Sequence, residues 1–113
     1  MRRLRDLAAE DILTQMEARS SELLDAEEAA AEAEGAFKAY EAVAALAFRD
    51  AGSSMAEAER RVRADDGWVE KYTAVQSAHI KAAQAKRDYQ RAEKALDLWR
   101  TERASLRTVE KHL

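Results

Sequence analysis

No proline interrupts the 113 residues of this chain, and it holds only three glycines, Gly35, Gly52 and Gly67. Proline removes a backbone donor and its ring clashes with the preceding turn, so without it helices run as far as the side chains permit. The residues between the glycines are strong helix formers, chiefly Ala, Glu, Arg, Leu, Lys and Gln. A chain that is 36% charged and 47% hydrophobic, with no breakers, reads as long helices of coiled-coil type.

Apolar positions three and four apart locate the seams. Met16, Ser20, Leu23, Ala26, Ala30, Ala33, Phe37, Tyr40, Ala44 and Ala47 form one stripe, extended less regularly by Leu4, Leu7, Ile12 and Leu13. The expected helix covers about 3–51, with Ser20-Ser21 as a place where it could kink. Gly52 suits a left-handed C′ position, and Ser54 with Glu57 forms an S-x-x-E capping box for a short helix over about 55–64. That short helix is expected to lie against the tip through Met55 and Val62. Asp65-Asp66-Gly67 breaks the chain again, with Asp66 as N-cap and Glu70 in the first turn. The last helix, about 67–110, carries the stripe Trp68, Tyr72, Val75, His79, Ala82, Ala85, Tyr89, Ala92, Leu96, Trp99, Arg103 and Leu106.

The architecture that follows is all-α: an elongated antiparallel helical hairpin, coiled-coil-like, with a short helix at its tip, in a single domain. The expected register sets Phe37 opposite Ala82, Ala30 opposite Tyr89, Leu23 opposite Leu96 and Met16 beside Arg103. Large faces small at two of these levels, as interdigitated layers require. A parallel dimer of bent rods is the alternative. Much of the apolar content is alanine, which buries little area, so a thin core favours a homo-oligomer.

Several classes of function fall away. Cysteine is absent, which removes disulfides, thiolate metal sites and a Cys nucleophile. No apolar run approaches the roughly 18 residues that span a bilayer, and the basic start lacks a following apolar segment, so a cytoplasmic protein without a membrane partner is expected. His79 on the seam has no second ligand at metal spacing, and His112 lies in the tail. Asp65, Asp66 and Glu70 lack the alternating ligands of a calcium loop and are explained by capping. There is no phosphate loop, zinc-protease motif or nucleophile elbow. The expectation is no enzyme, no cofactor and no metal.

Charge is unevenly spread. Residues 1–66 hold 9 Lys and Arg against 16 Asp and Glu, net −7, and residues 67–113 hold 10 against 6, net +4, which together make the −3 of the chain. An acidic helix beside a basic one accounts for this without any ligand. A local reading singles out Lys86, Arg87, Arg91 and Lys94, with Arg100, Arg103 and Arg107 clustered beyond them, as a strip for a phosphate backbone in which Arg100 and Arg107 are secondary contacts. Tyr89 and Trp99 could stack bases, though both fall on the core stripe. The opposite reading takes Glu22, Asp25, Glu28 and Glu32 as an acidic face that mimics nucleic acid and occupies another protein's basic channel.

The order of a Tyr- and Ala-rich long helix (Phe37-Lys38-Ala39-Tyr40-Glu41-Ala42), a short capped linker from Ser54 to Asp65, and a basic helix dotted with aromatics from Lys86-Arg87-Asp88-Tyr89 through Trp99 to Arg107 carries a resemblance. Over about residues 30–110 this layout resembles the small helical proteins that tailed phages encode near recombination genes. Some of those are similar to the UvsY-type recombination mediator. The resemblance implies a non-enzymatic accessory protein of DNA recombination, oligomeric, binding single-stranded DNA and a recombinase or annealing protein. It is one of layout, without a diagnostic motif, and the acidic first helix departs from it. The other expectations are a phage-encoded inhibitor of a host defence or repair complex, acting through the acidic face, and a structural coiled-coil adaptor.

Overall fold

The computed structural model describes residues 4–112, with side chains described over 8–111. Three helices follow in order: α1 (Leu4–Asp50), α2 (Met55–Arg63) and α3 (Asp66–His112). The side chains of Leu4, Leu7 and His112 lie outside the described residues. Among the described residues no helix is long and apolar enough to cross a membrane.

The helix ends follow from local chemistry. Helix α1 passes through Ser20-Ser21 without a break. It stops at Gly52, whose φ of 102° is the left-handed conformation that only glycine adopts without strain. Ser54 then caps α2: its hydroxyl accepts from the Glu57 amide at 3.2 Å, satisfying one of the free first-turn donors. The Glu57 carboxylate faces Arg61 at 3.8 Å one turn on. At the next boundary Asp66 is the first residue of α3 and not its cap. The residue before it, Asp65, accepts from the Trp68 amide through its carbonyl at 3.1 Å. The Asp65 carboxylate is engaged instead by the Tyr40 hydroxyl.

The chain divides into two compact units, Asp25–Ala82 on one hand and Met1–Leu24 with Ala83–Leu113 on the other. In the unit Asp25–Ala82, α2 docks through Ala58 and Val62, which are buried and one turn apart. Met55, expected to share that contact, is 61% exposed. Val62 and Arg63 line one surface with Glu41, Ala42 and Ala45 of α1, and the Arg61 guanidinium lies 5.9 Å from the centre of the Phe48 ring.

That docking explains a correction to the expected register. Phe37 stands against Trp68 and Tyr72, with ring centres 5.6 and 5.9 Å away, and not against Ala82. The last nine or so residues of α1 are taken up by α2, whose nine residues span about the same length. Helix α3 therefore begins level with Tyr40 and Glu41 and not with Asp50. Tyr40 meets Asp65 just ahead of α3, and from there the contacts step back along α1 as they step forward along α3, from Glu41 with Trp68 to Glu34 with His79. In the other unit Tyr89 lines a groove with Met16, Ser20 and Leu24, whereas Ala30 had been its expected partner. Arg103 lies with Trp99 near Ala8, away from Met16.

The core is as thin as the alanine content implies. Ala30, Ala58, Val62 and Leu96 are the buried hydrophobic residues among those described, and no large side chain is fully enclosed. The rest of each seam, where side chains are described, is half-buried, except Leu13, Ala47, Tyr72, His79 and Leu106, which are exposed.

Candidate nucleic-acid interface

All six cations singled out as phosphate contacts are exposed on α3, in the unit that contains Ala83–Leu113. At about 100° of rotation per residue, Arg87, Arg91 and Lys94 fall within about 60° of one another on the side of α3 opposite its seam. They line one open surface with Gln90, Glu93 and Asp97. The Arg87 Nε reaches back to the Ala83 carbonyl at 3.5 Å, a bond that fixes the root of the side chain and leaves its terminal donors free. Among the described residues no carboxylate forms an ion pair with any of the three.

The remaining candidates do not join this ridge. Lys86 sits about 100° round the helix from Arg87. Arg100 and Arg107 lie near the seam side, where they line a second surface with Ala9, Trp99, Arg103 and Ala104. The expected single strip is thus a three-residue ridge, a flanking lysine and a separate cluster around Trp99.

That cluster includes a residue placed by the sequence reading in the core. Arg103 is half-buried with its guanidinium 5.0 Å from the centre of the Trp99 ring, a cation–π contact that leaves Trp99 partly covered. Its spacing from Arg100 and Arg107, three and four residues, is the signal that groups it with them in the sequence. Tyr89, like Trp99, is half-buried. Both aromatics are therefore chiefly packing residues, as their stripe positions implied.

The acidic candidates are also divided. Glu22 is bound to Arg19 at 2.9 Å within its own turn, and this partner raises the Arg19 guanidinium above its ordinary value through the hydrogen bond and the opposite charge. Asp25, Glu28 and Glu32 belong to the unit Asp25–Ala82, are exposed, and have no ion pair among the described residues. They occupy the outward face of α1, away from the seam of Ala30, Ala33 and Phe37.

In the unit Asp25–Ala82, polar groups fasten α1 to the segment from Asp65 to His79. Trp68 donates through Nε1 to the Glu41 carboxylate at 3.1 Å, and His79 Nε2 donates to Glu34 at 2.6 Å. The Tyr40 hydroxyl donates to Asp65, and this bond, together with partial burial, raises the Tyr40 phenol above the ordinary tyrosine value. Trp68 and Tyr72 stack at 5.0 Å with planes 7° apart. The arrangement accounts for these groups as structural fasteners. Among the described residues no group of three or more His, Asp or Glu is placed to hold a metal ion.

No protein family, curated protein or solved structure matches this chain.

Proposed function

We propose that the chain is a non-enzymatic accessory protein that pairs α1 with α3 as an antiparallel hairpin and binds single-stranded nucleic acid along α3. The observation that carries this reading is the ridge of Arg87, Arg91 and Lys94: three exposed cations on successive turns without ion-pair partners among the described residues. Cations on a helix face normally gain from acids three or four residues away. Here Glu93 and Asp97 border the same surface yet leave the three charges unpaired. Successive turns at about 5.4 Å match the spacing of phosphates along a single strand closely enough for each charge to meet one.

The layout shared with phage recombination mediators points to the same ligand, with a recombinase or annealing protein as second partner. Three contacts make a weak site, so function as an oligomer raises affinity through multivalency. Lys86 flanks the ridge, and Arg100 with Arg107 supplies a second contact near Trp99.

The test is fluorescence anisotropy with a labelled single-stranded oligonucleotide across a salt series. Three phosphate contacts predict a slope of log affinity against log salt of about −2. Reversing Arg87 and Arg91 together is expected to abolish binding while far-UV circular dichroism stays unchanged. Binding that is indifferent to salt, or to that double reversal, removes the ridge from the function.

A further inference from the structure

The outward faces of α1 and α3 carry complementary patterns that do not face each other at the contacts within either unit. On α1, Asp25, Glu28, Glu32, Ala36 and Ala39 are all exposed, with spacings of three, four, four and three residues. On α3, read backwards, Lys94, Arg91, Arg87, Ala83 and Ile80 are all exposed with the same spacings. Each set lies within about 80° of helix circumference, on the side opposite its seam. Glu34 and Phe37 of α1, and Trp68 and His79 of α3, make the inward contacts, and among the described residues no ion pair or ring contact joins either outward pattern to another element.

We propose that the acidic strip of one copy docks on the basic ridge of a second copy, with α1 and α3 antiparallel across the interface. Asp25 then meets Lys94 of the second copy, Glu28 meets Arg91 and Glu32 meets Arg87. Ala36 faces Ala83, and Ala39 lies on Ile80, which is 67% exposed in the single chain. Alanines at this point let the helix backbones approach, and the apolar run continues on α1 through Val43 and Leu46, 70% and 61% exposed. A parallel arrangement brings spacings of three then four against four then three, so the antiparallel direction alone keeps every charge opposite its complement. The second copy is the occupant because both halves of the match lie on this one chain, and the thin core leaves apolar surface uncovered.

The acidic strip thus occupies the surface that a phosphate backbone takes in the function proposed above. Self-association and nucleic-acid binding become competitors for Arg87, Arg91 and Lys94. The inference does not rest on the nucleic-acid reading, because its test contains no nucleic acid.

Sedimentation velocity at low and high salt on the full chain, on Glu28→Arg, on Arg91→Glu and on the variant carrying both changes decides it. The wild type is expected to self-associate at low salt and to dissociate as salt screens the three pairs. Each single reversal puts like charges together and is expected to weaken association at least about tenfold. The variant with both reversals keeps the net charge and restores opposite signs, so it is expected to recover association. Glu28 and Arg91 are both exposed, so circular dichroism is expected to show equal helicity throughout. A wild type that stays monomeric at low salt overturns the proposal. So do single variants that associate like the wild type, or a double variant no better than its parents. Loss of DNA binding with this pattern intact would sink only the nucleic-acid reading.

Discussion

The two units of the chain are built from the same residue types yet are fastened in different ways. In Asp25–Ala82 three bonds join residues far apart in sequence, beside local ones such as Gln76 to Tyr72: Tyr40 with Asp65, Trp68 with Glu41 and His79 with Glu34, around the rings of Phe37, Trp68 and Tyr72. In the unit holding Ala83–Leu113 several side-chain bonds of the described residues stay within one helix. Gln84 bonds Asp88, Thr101 and Thr108 return to carbonyls four residues back, and Arg19 holds Glu22. The first kind of contact fixes which helix faces meet and at what level. The second stabilises a helix wherever it lies, by a few tenths of a kcal/mol per pair. Specificity is therefore concentrated at the aromatic cluster, and the cations are left free where the fold asks least of them.

The strongest way to break this comparison is Trp68→Ala. It removes a stacked ring, two aromatic contacts and the bond to Glu41, and is expected to cost about 2–3 kcal/mol, somewhat below the value for a fully buried aromatic. Denaturant unfolding followed by circular dichroism measures it. Leu96→Ala, in the other unit, is expected to cost about 2 kcal/mol or less, because half-buried neighbours can close over the gap. A larger loss at Leu96 than at Trp68 would invert the assignment of specificity.

Gly67 sharpens the same point. A Cβ there would lie 2.6 Å from the Tyr40 Oη and 3.0 Å from its Cζ. Alanine normally stabilises a helix relative to glycine by up to about 1 kcal/mol. At this position it must push aside a ring whose hydroxyl is held by Asp65. Gly67→Ala is expected to destabilise by about 1 kcal/mol. In a Tyr40→Phe background the nearest clashing atom is gone, so the cost shrinks, and the coupling between the two changes measures the fastening.

The fold was legible where it depended on local chemistry and illegible where it depended on the fasteners. Gly52, Ser54 and the positions of both seams follow from spacing and capping, and the three helices end within a few residues of their expected limits. The register did not follow, because Ala-rich seams match one another at many levels. What set it was the docking of Ala58 and Val62 on α1, and no periodicity in α1 or α3 reveals that. Among the candidate cations, a linear reading grouped Lys86, Arg100 and Arg107 with the ridge, whereas rotation along α3 separates them. Arg103 was legible as a neighbour of Arg100 and Arg107, but its contact with the Trp99 ring was not.

Alkaline pH offers a milder perturbation of the aromatic unit. The folded-state value of Tyr40 is raised, so its contribution to stability is complete below the ordinary tyrosine value of about 10 and is lost as pH rises through the raised value. Above it, a phenolate faces the Asp65 carboxylate. Trp68 fluorescence in a Trp99→Phe background is expected to report loosening only above pH of about 10. Tyr40→Phe should flatten that step. A step that persists in Tyr40→Phe removes Tyr40 from the effect.

The smallest expected effect lies at the ring contact of Arg103 with Trp99 in the unit containing Ala83–Leu113. Arg103 and Trp99 belong to the same helix, one turn apart, so their cation–π contact can form whether or not α1 is packed beside them. It covers the ring without selecting a register. Arg103→Ala is expected to cost less than about 1 kcal/mol, while iodide quenches Trp99 more readily in a Trp68→Phe background. Arg103→Lys should retain part of the protection, because the charge remains but the flat guanidinium that covers the ring does not. A loss above about 2 kcal/mol is too large for one exposed cation–π contact. It would mean that Arg103 fixes the placement of its helix, and the contrast between a specified unit and a permissive one would fail at that residue.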